Sequence, residues 1–355
     1  MSHQFETGFF AREAAWHGLG TYLDTEVPID DALTVAGLDW RAQVVPNFLQ
    51  GPLKKVVIDG VEVTVRLQGP QVPDDYSVIR DTDHYVLGKS VGRLYEPVQN
   101  KEVLEFAKAI LTNSTQAVVD TAGSLHHGSI VWFLVRLQDM PYKVKGVDEV
   151  FPYLLLTNSH NGQSSFRVFP TAVRVVCANT LTLALRHGRG KGISIQHSGD
   201  IAAKLDEAGK ILTEANKHLD NFYQQAELLA SHSMTDDEVE TFVNTLFPGG
   251  EKKQSKRTTA NREAVLLNWH SGGKDVQAIP AIQGTAWEAL NAVTAFTNHD
   301  RSPSLSVSDL NTPSRTLSAK VDSLWFGTAS DLNQRALIYL TTLAHGGNPQ
   351  QILSV

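Results

Sequence analysis

Positive charge in this chain gathers in two short stretches. Arg186-His187-Gly188-Arg189-Gly190-Lys191-Gly192 meets no acid until Asp200, and Lys252-Lys253-Gln254-Ser255-Lys256-Arg257 is offset only by Glu251. The glycines of the first stretch would let backbone amides come close to a phosphate. Arg167 and Arg174 lie just upstream, and Tyr153, Phe166 and Phe169 stand on nearby strand-like segments. A run of like charge on its own reads most simply as a solvated loop. Two such runs beside aromatic strands fit a groove for a single nucleic-acid strand, which is held by cations along its backbone and by bases stacked on rings. The expected phosphate contacts are Arg167, Arg174, Arg186, Arg189, Lys191, Lys252, Lys253, Lys256 and Arg257, with Tyr153, Phe166 and Phe169 as stacking platforms.

A different chemistry would centre on Cys177, the only cysteine. With His160 as base and Asn179 as orienting amide it has the parts of a thiol nucleophile. Such a nucleophile needs a partly exposed thiolate. Cys177 instead sits among Val175, Val176, Leu181 and Leu183, so a buried, structural thiol is expected. One cysteine allows neither an intramolecular disulfide nor a four-thiolate zinc site, which fits a reducing compartment. Gly88-Lys89-Ser90 has the ending of a phosphate-binding loop, but Asp83 stands where that loop needs its first glycine. His126-His127 falls at an expected hairpin tip, where neighbouring strand side chains point apart. His299-Asp300 has no second histidine at ligand spacing. Zinc-protease, nucleophile-elbow and dinucleotide-binding patterns do not occur. No catalytic residue, metal or cofactor is expected.

The 355 residues are 42% apolar, enough for a sizeable buried core. Lys and Arg number 31 against 38 Asp and Glu, a net charge of −7. That sum argues against a protein coated in basic charge for duplex DNA, though not against a local basic groove. The longest apolar runs fall far short of a membrane span. The first residues lack the basic-then-apolar order of a signal peptide. A soluble protein of a reducing cytoplasm is expected.

The elements that would carry these residues begin with strands. Pro28 and Ile29–Leu33 start a helix that Gly37 stops. Trp40–Val45 reads as a strand, and Val56–Ile58 with Val61–Leu67 flank Asp59-Gly60, a strong hairpin signal. Gly69–Asp75 reads as a Pro/Asp-rich loop, and Tyr76–Ile79 with His84–Leu87 as a strand pair. Asn100 is placed to cap a helix to about Leu111, with Val103, Leu104, Ala107, Ile110 and Leu111 inward. Ala117–Ala122 with Ile130–Leu137, and Tyr153–Thr157 with Ser165–Phe169, read as hairpins. Thr171–Arg186 reads as a helix from its length and the Leu181, Leu185 spacing, despite its β-branched start.

The last third reads as helical. Ile201, Leu205, Ala208, Leu212, Ala215, Leu219, Phe222, Ala226 and Leu229 form a heptad seam along Asp200–Ser231. The seam needs cover, from the chain's own domain or from another subunit. Thr235 and Glu238 form a capping box, and further helices are expected over Thr259–His270, Thr285–Thr297 and Asp331–Ala344. The expected fold is α+β: an antiparallel, strand-rich N-terminal and central region, then a helical region with one long helix. Three segments are expected, 1–115, 116–199 and 200–355, in a homo-oligomer for which a ring is one form.

Several phrases carry a family resemblance. They are Ala15-Trp16-His17-Gly18-Leu19-Gly20, Pro152-Tyr153-Leu154-Leu155-Leu156-Thr157-Asn158-Ser159-His160 and Arg174-Val175-Val176-Cys177-Ala178-Asn179-Thr180-Leu181. Later come Gly284-Thr285-Ala286-Trp287, Asn291-Ala292-Val293-Thr294 and Leu324-Trp325-Phe326-Gly327. In this order they resemble the phage- and plasmid-encoded proteins that carry the domain of unknown function 932. The chain departs from an acidic Glu-x-x-Asp-His pattern expected in that family, having Ala295, Asn298 and His299 in those places. If relatives hold a metal there, this member should hold it poorly. The resemblance implies a mobile-element setting, hence DNA metabolism or host takeover. The strand and helix order ending Leu183-Ala184-Leu185-Arg186-His187-Gly188 is also similar to the core of Rad52-like annealing proteins, an analogy of fold alone. A non-catalytic protein that binds and anneals single-stranded DNA, in contact with host or phage replication proteins, is the leading expectation. Capture of a host factor and a Cys177-dependent hydrolase are the alternatives.

Overall fold

Two kinds of apolar pattern build the strands. The continuous runs Val131–Val135 and Leu154–Leu156 are buried on both faces, whereas Val61–Gln68 alternates apolar and polar and lies largely open. The computed structural model describes residues 5–11, 20–111, 118–137, 141–162, 166–174, 180–182, 193–194, 201–249, 255–271, 279–301, 323 and 327–349. The strands are β1 (Phe5–Ala11), β2 (Thr21–Leu23), β3 (Val27–Pro28), β4 (Ala42–Ile58), β5 (Val61–Arg80), β6 (Val86–Val91), β7 (Val118–Leu125), β8 (Ile130–Arg136), β9 (Tyr142–Val144), β10 (Asp148–Ser159), β11 (Arg167–Arg174), β12 (Thr180–Thr182) and β13 (Ile193–Ser194). The helices are α1 (Ala32–Val35), α2 (Asn100–Ile110), α3 (Ile201–Ser231), α4 (Asp236–Leu246), α5 (Lys256–Ser271), α6 (Ala286–Ala295) and α7 (Thr328–Ala344), and a π-helical turn, Phe296–Asp300, extends α6.

The larger sheet runs β12-β11-β10-β8-β7-β1-β2, with β13 on β11, β3 on β7 and β9 on β10. Its pairings are antiparallel except β1 with β2. One face, with Val131, Phe133, Val135, Leu154, Leu156 and Val168, joins the main core. The other carries Trp132, Leu134, Tyr153, Leu155 and Phe169, packed with Phe10, Leu125 and Ala329. The main core runs unbroken from Phe9 to Leu340 and draws on all three expected segments.

The helices are started by local caps. Thr235 and Glu238 form the expected box at α4, and Thr285 accepts from the Glu288 amide at α6. At α2 the cap is Gln99, boxed with Glu102, and not Asn100, whose side chain is used in a buried contact described below. The α3 seam from Ala215 to Leu229 is buried in the chain's own core, against α2, α6, α7, β9 and β11. Over this stretch the chain itself supplies the cover.

The expected helix over Thr171–Arg186 is corrected where the residues are described; 175–179 and 183–186 lie outside them. Thr171–Arg174 ends β11, and Thr180–Thr182 forms β12, pairing Ala172 with Leu181. The β-branched residues here find a sheet edge to extend, which outweighs a leucine spacing equally at home in a helix. The expected loop Gly69–Asp75 is strand too. It lies within β5, which pairs with β4 from Ala42↔Arg80 to Ile58↔Val61. Pro46, Pro52, Pro70 and Pro73 fit there because both strands are edges and the register shifts three times. From about Asp75 outward these two strands form an arm with no third strand among the described residues, since β6 pairs only with Tyr76, Val78 and Ile79. At its tip Asp59 (φ 49°) and Gly60 (φ 81°) make the left-handed two-residue turn that glycine favours. At its root the Arg80 guanidinium lies 5.5 Å from the Trp40 ring centroid and 5.8 Å from that of Tyr85, and donates twice to Asp83.

Candidate functional site

The expected groove residues divide between described and undescribed parts of the chain. Arg186, Arg189, Lys191, Lys252 and Lys253 lie outside the described residues, as does the Arg174 side chain at the end of β11. Half-buried Arg167 opens β11 opposite Thr157 of β10 and Ser194 of β13. Strand alternation brings Arg167, Phe169 and Tyr153 to one face of the large sheet and sends Phe166 to the other.

All three expected stacking rings are core residues, each 2% exposed. Tyr153 donates its hydroxyl proton to Asp120, Phe169 packs in the second cluster, and Phe166 meets Phe106 of α2 edge-on at 5.3 Å. Both faces of these strands are covered, so neither parity leads to solvent. The same layer holds a cation that the sequence did not single out. Arg136, 8% exposed, donates to Glu26 and Asp120 at 3.0 Å each and stacks 4.7 Å from the Phe151 centroid. Burial pulls its pKa down, but Tyr153, Asp120 and Glu26 more than reverse this, and the guanidinium is held charged. An arginine inside the apolar run Ile130–Leu137 was the available signal.

The second basic stretch enters the structure at Lys256 and Arg257, both exposed in the first turn of α5, a turn without an acid. Arg301 stands beside Arg257, donating to the Thr328 carbonyl at 3.0 Å and to its hydroxyl oxygen at 2.9 Å. Burial lowers the Arg301 pKa, and the like charge of Arg257 lowers it further against the pull of Asp331. Arg301 follows the π turn, a feature frequent at functional sites. There the Asn268 amide donates to Asp300 at 2.8 Å and Thr297 to Asn333 at 2.9 Å. Ala295 and Asn298, the departures from the acidic pattern, are buried; His299 is exposed. Asn298 donates to the Thr294 carbonyl at 2.7 Å, and its Oδ1 has no partner among the described residues.

His160 occupies a sealed centre. Its Nε2 lies 2.9 Å from the Asn100 Oδ1. The Asn100 amide nitrogen donates to the Leu38 carbonyl, so the oxygen faces the imidazole and Nε2 carries the proton, an assignment made from the network. Trp40 packs at 5.1 Å between centroids. Burial lowers the His160 pKa to about 3. A general base works best with a pKa near the operating pH, so this imidazole is a core hydrogen-bond donor rather than a base. Its expected partners Cys177 and Asn179 lie outside the described residues. Gly88 of the phosphate-loop look-alike is a strand residue in β6. A Cβ there would fall 2.6 Å from the His160 oxygen and the Asn161 Cα, so its smallness serves packing. His126 and His127 form the left-handed turn between β7 and β8, with His127 5.0 Å from the Tyr85 ring. Among the described residues no group of three or more His, Cys, Asp or Glu is placed to hold a metal ion.

These features define an α+β protein of two largely antiparallel sheets with a projecting two-stranded arm and a helical second half. The chain belongs to the family described as Domain of unknown function (DUF932), whose model matches residues 88–325. The match starts in β6, takes in β7 to β13 and α2 to α6, and leaves the arm outside. No solved structure matches the chain. Among the described residues no helix is long and apolar enough to cross a membrane.

Proposed function

We propose that the protein is a non-catalytic binder of single-stranded DNA, of the kind mobile elements use in recombination or replication. The observation that carries this reading is the gathering of Lys256, Arg257 and Arg301 at the N-terminal end of α5. A helix presents partial positive charge at that end and favours anions there. Cations in its first turn add to that field, and a phosphate between them would offset the repulsion from Arg257 that adds to the effect of burial in lowering the Arg301 pKa. Arg167, Arg174, Arg186, Arg189, Lys191, Lys252 and Lys253 would extend the track along a strand. Tyr153, Phe166 and Phe169 have no part in it, being core rings.

The test is binding of a labelled single-stranded oligonucleotide at about 50 and 200 mM salt. Arg257→Ala with Arg301→Ala should weaken binding evenly across sequences and flatten the log–log salt slope by roughly 0.7 per lost phosphate contact. Absence of wild-type binding at the lower salt would overturn the reading. Capture of another protein without nucleic acid is the second reading, favoured by the exposed apolar side chains of the arm.

A further inference from the structure

Among the described residues fifteen large apolar side chains are exposed, and eight of them lie between Phe48 and Leu67 on the arm. Leu53 and Val57 lie on one face of it, and most of the others lie on the opposite face. Cross-strand partners in an antiparallel ribbon share a face. The pairs Lys55↔Thr64, Val57↔Glu62 and Leu53↔Arg66 fall on one side, where Lys55 and Glu62 form an ion pair. The pairs Ile58↔Val61, Val56↔Val63 and Lys54↔Val65 fall on the other. Alternation adds Leu67 and Leu49 to that second side, which is apolar apart from Lys54. Ile58 is 54% exposed, Val61 63% and Leu49 58%. An isolated two-stranded hairpin is at best marginal in water, and among the described residues nothing else covers this face.

We infer that the arm is a self-association device: the apolar faces of two arms pack on each other and join two copies of the chain about a two-fold axis. A second copy fits for three reasons. The surface is apolar apart from Lys54, so it can complement itself, as a two-fold contact requires. The exposed parts of its apolar side chains come to roughly 500 Å2 per copy, so two such faces bury at most about 1,000 Å2, the lower bound for a specific interface. Charge agrees as well. Over residues 47–75 Lys54, Lys55 and Arg66 face Asp59, Glu62, Asp74 and Asp75, leaving the arm near neutral at −1 and the rest of the chain at −6 of the total −7. Bodies of that charge repel at contact. The arm projects about 30 Å beyond Phe48 at ~3.4 Å per residue, well past the ~8–10 Å over which charge is felt at physiological salt. The product is a four-stranded sandwich with a dry interior, its layers ~10 Å apart. It needs no nucleic acid and stands apart from the proposed DNA binding.

Light scattering and sedimentation of the full chain, free of nucleic acid, provide the test. The wild type should be a dimer at about 50 µM. Val61→Glu with Val63→Glu should weaken the dimer by about a hundredfold or more, because each carboxylate must be stripped of water in an apolar contact. Thr64→Glu, on the polar side facing Lys55, should leave the dimer intact. If the double variant fails to fold, Val63→Cys in a Cys177→Ser background should still cross-link to a dimer with a bismaleimide of ~10 Å span, and Thr64→Cys should not. A monomeric wild type at 50 µM overturns the inference, whether or not the arm then captures another protein. So does a dimer that survives the double glutamate substitution in a folded protein.

Discussion

The large sheet and the arm are made of the same kinds of residue and end in opposite environments. In β10 the run Val150–Leu156 is apolar or proline at every position, and its residues are almost all buried, since both parities meet packed layers. In β5 Val61-Glu62-Val63-Thr64-Val65-Arg66-Leu67-Gln68 alternates strictly and stays mostly exposed. β-Propensity alone therefore says little about where a strand lies. Continuity of the apolar run marks a strand covered on two sides, and alternation marks one with a single face to cover. In the arm the described residues provide the pattern without the cover. The family match follows the same division, taking in β10 and leaving out the arm.

The sharpest way to break this comparison is to cut into the doubly covered sheet. Trp132, fully buried in the second cluster, should cost about 3–5 kcal/mol when replaced by Ala. Urea unfolding measures it, and a loss below about 1 kcal/mol would mean that this face is not packed in solution. Asp120→Ala should come next, at about 3 kcal/mol, because it strands the buried Arg136 charge and the Tyr153 hydroxyl together. Glu26 keeps the second contact to Arg136, which holds the cost to the lower end of the range for a broken buried pair.

The root of the arm offers a pH-dependent test. Folded His160 has a pKa of about 3 and the unfolded imidazole about 6.5, so below pH 6.5 the unfolded chain binds more protons. Stability from this residue is fully present above about pH 6.5 and is lost as pH falls toward 3. At pH 5 the loss should be about 2 kcal/mol, read from urea midpoints between pH 7.5 and 5. His160→Gln, which keeps a donor for Asn100 and cannot titrate, should flatten that slope. An equal slope in the variant would place the acid sensitivity elsewhere.

Some of this architecture is legible in the sequence. The Asp59-Gly60 turn, the Thr235–Glu238 box and the span of α3 rest on local signals, and the α+β class follows from them. What is not legible depends on the third dimension. Tyr153 and Phe169 share a face with Arg167 as their spacing suggests, but spacing does not tell which faces are covered. Arg301 meets Arg257 only because α5 packs on α6 and its π turn, 44 positions away in the chain. The stretch read as a helix from Thr171 failed for a related reason: the open edge of β10 recruited β11 and then β12.

The smallest effect belongs to the arm, and it separates a free ribbon from a docked one. Val61→Ala removes two methyl groups from a side chain that is 63% exposed. In a dilute, monomeric sample the cost should stay within about 0.5 kcal/mol, as for other open surface positions. The urea m-value should not change, since the area exposed on unfolding is nearly the same. At about 50 µM the same substitution should instead lower the apparent stability, because an assembly that binds only folded chains adds a concentration-dependent term. A cost above about 1 kcal/mol that is independent of concentration would show that the arm's apolar face already rests on the chain's own surface in solution. The contrast with the large sheet would then be one of degree. A cost that appears only as concentration rises keeps the contrast whole: one strand pattern is completed within the chain, and the other is completed by a second copy.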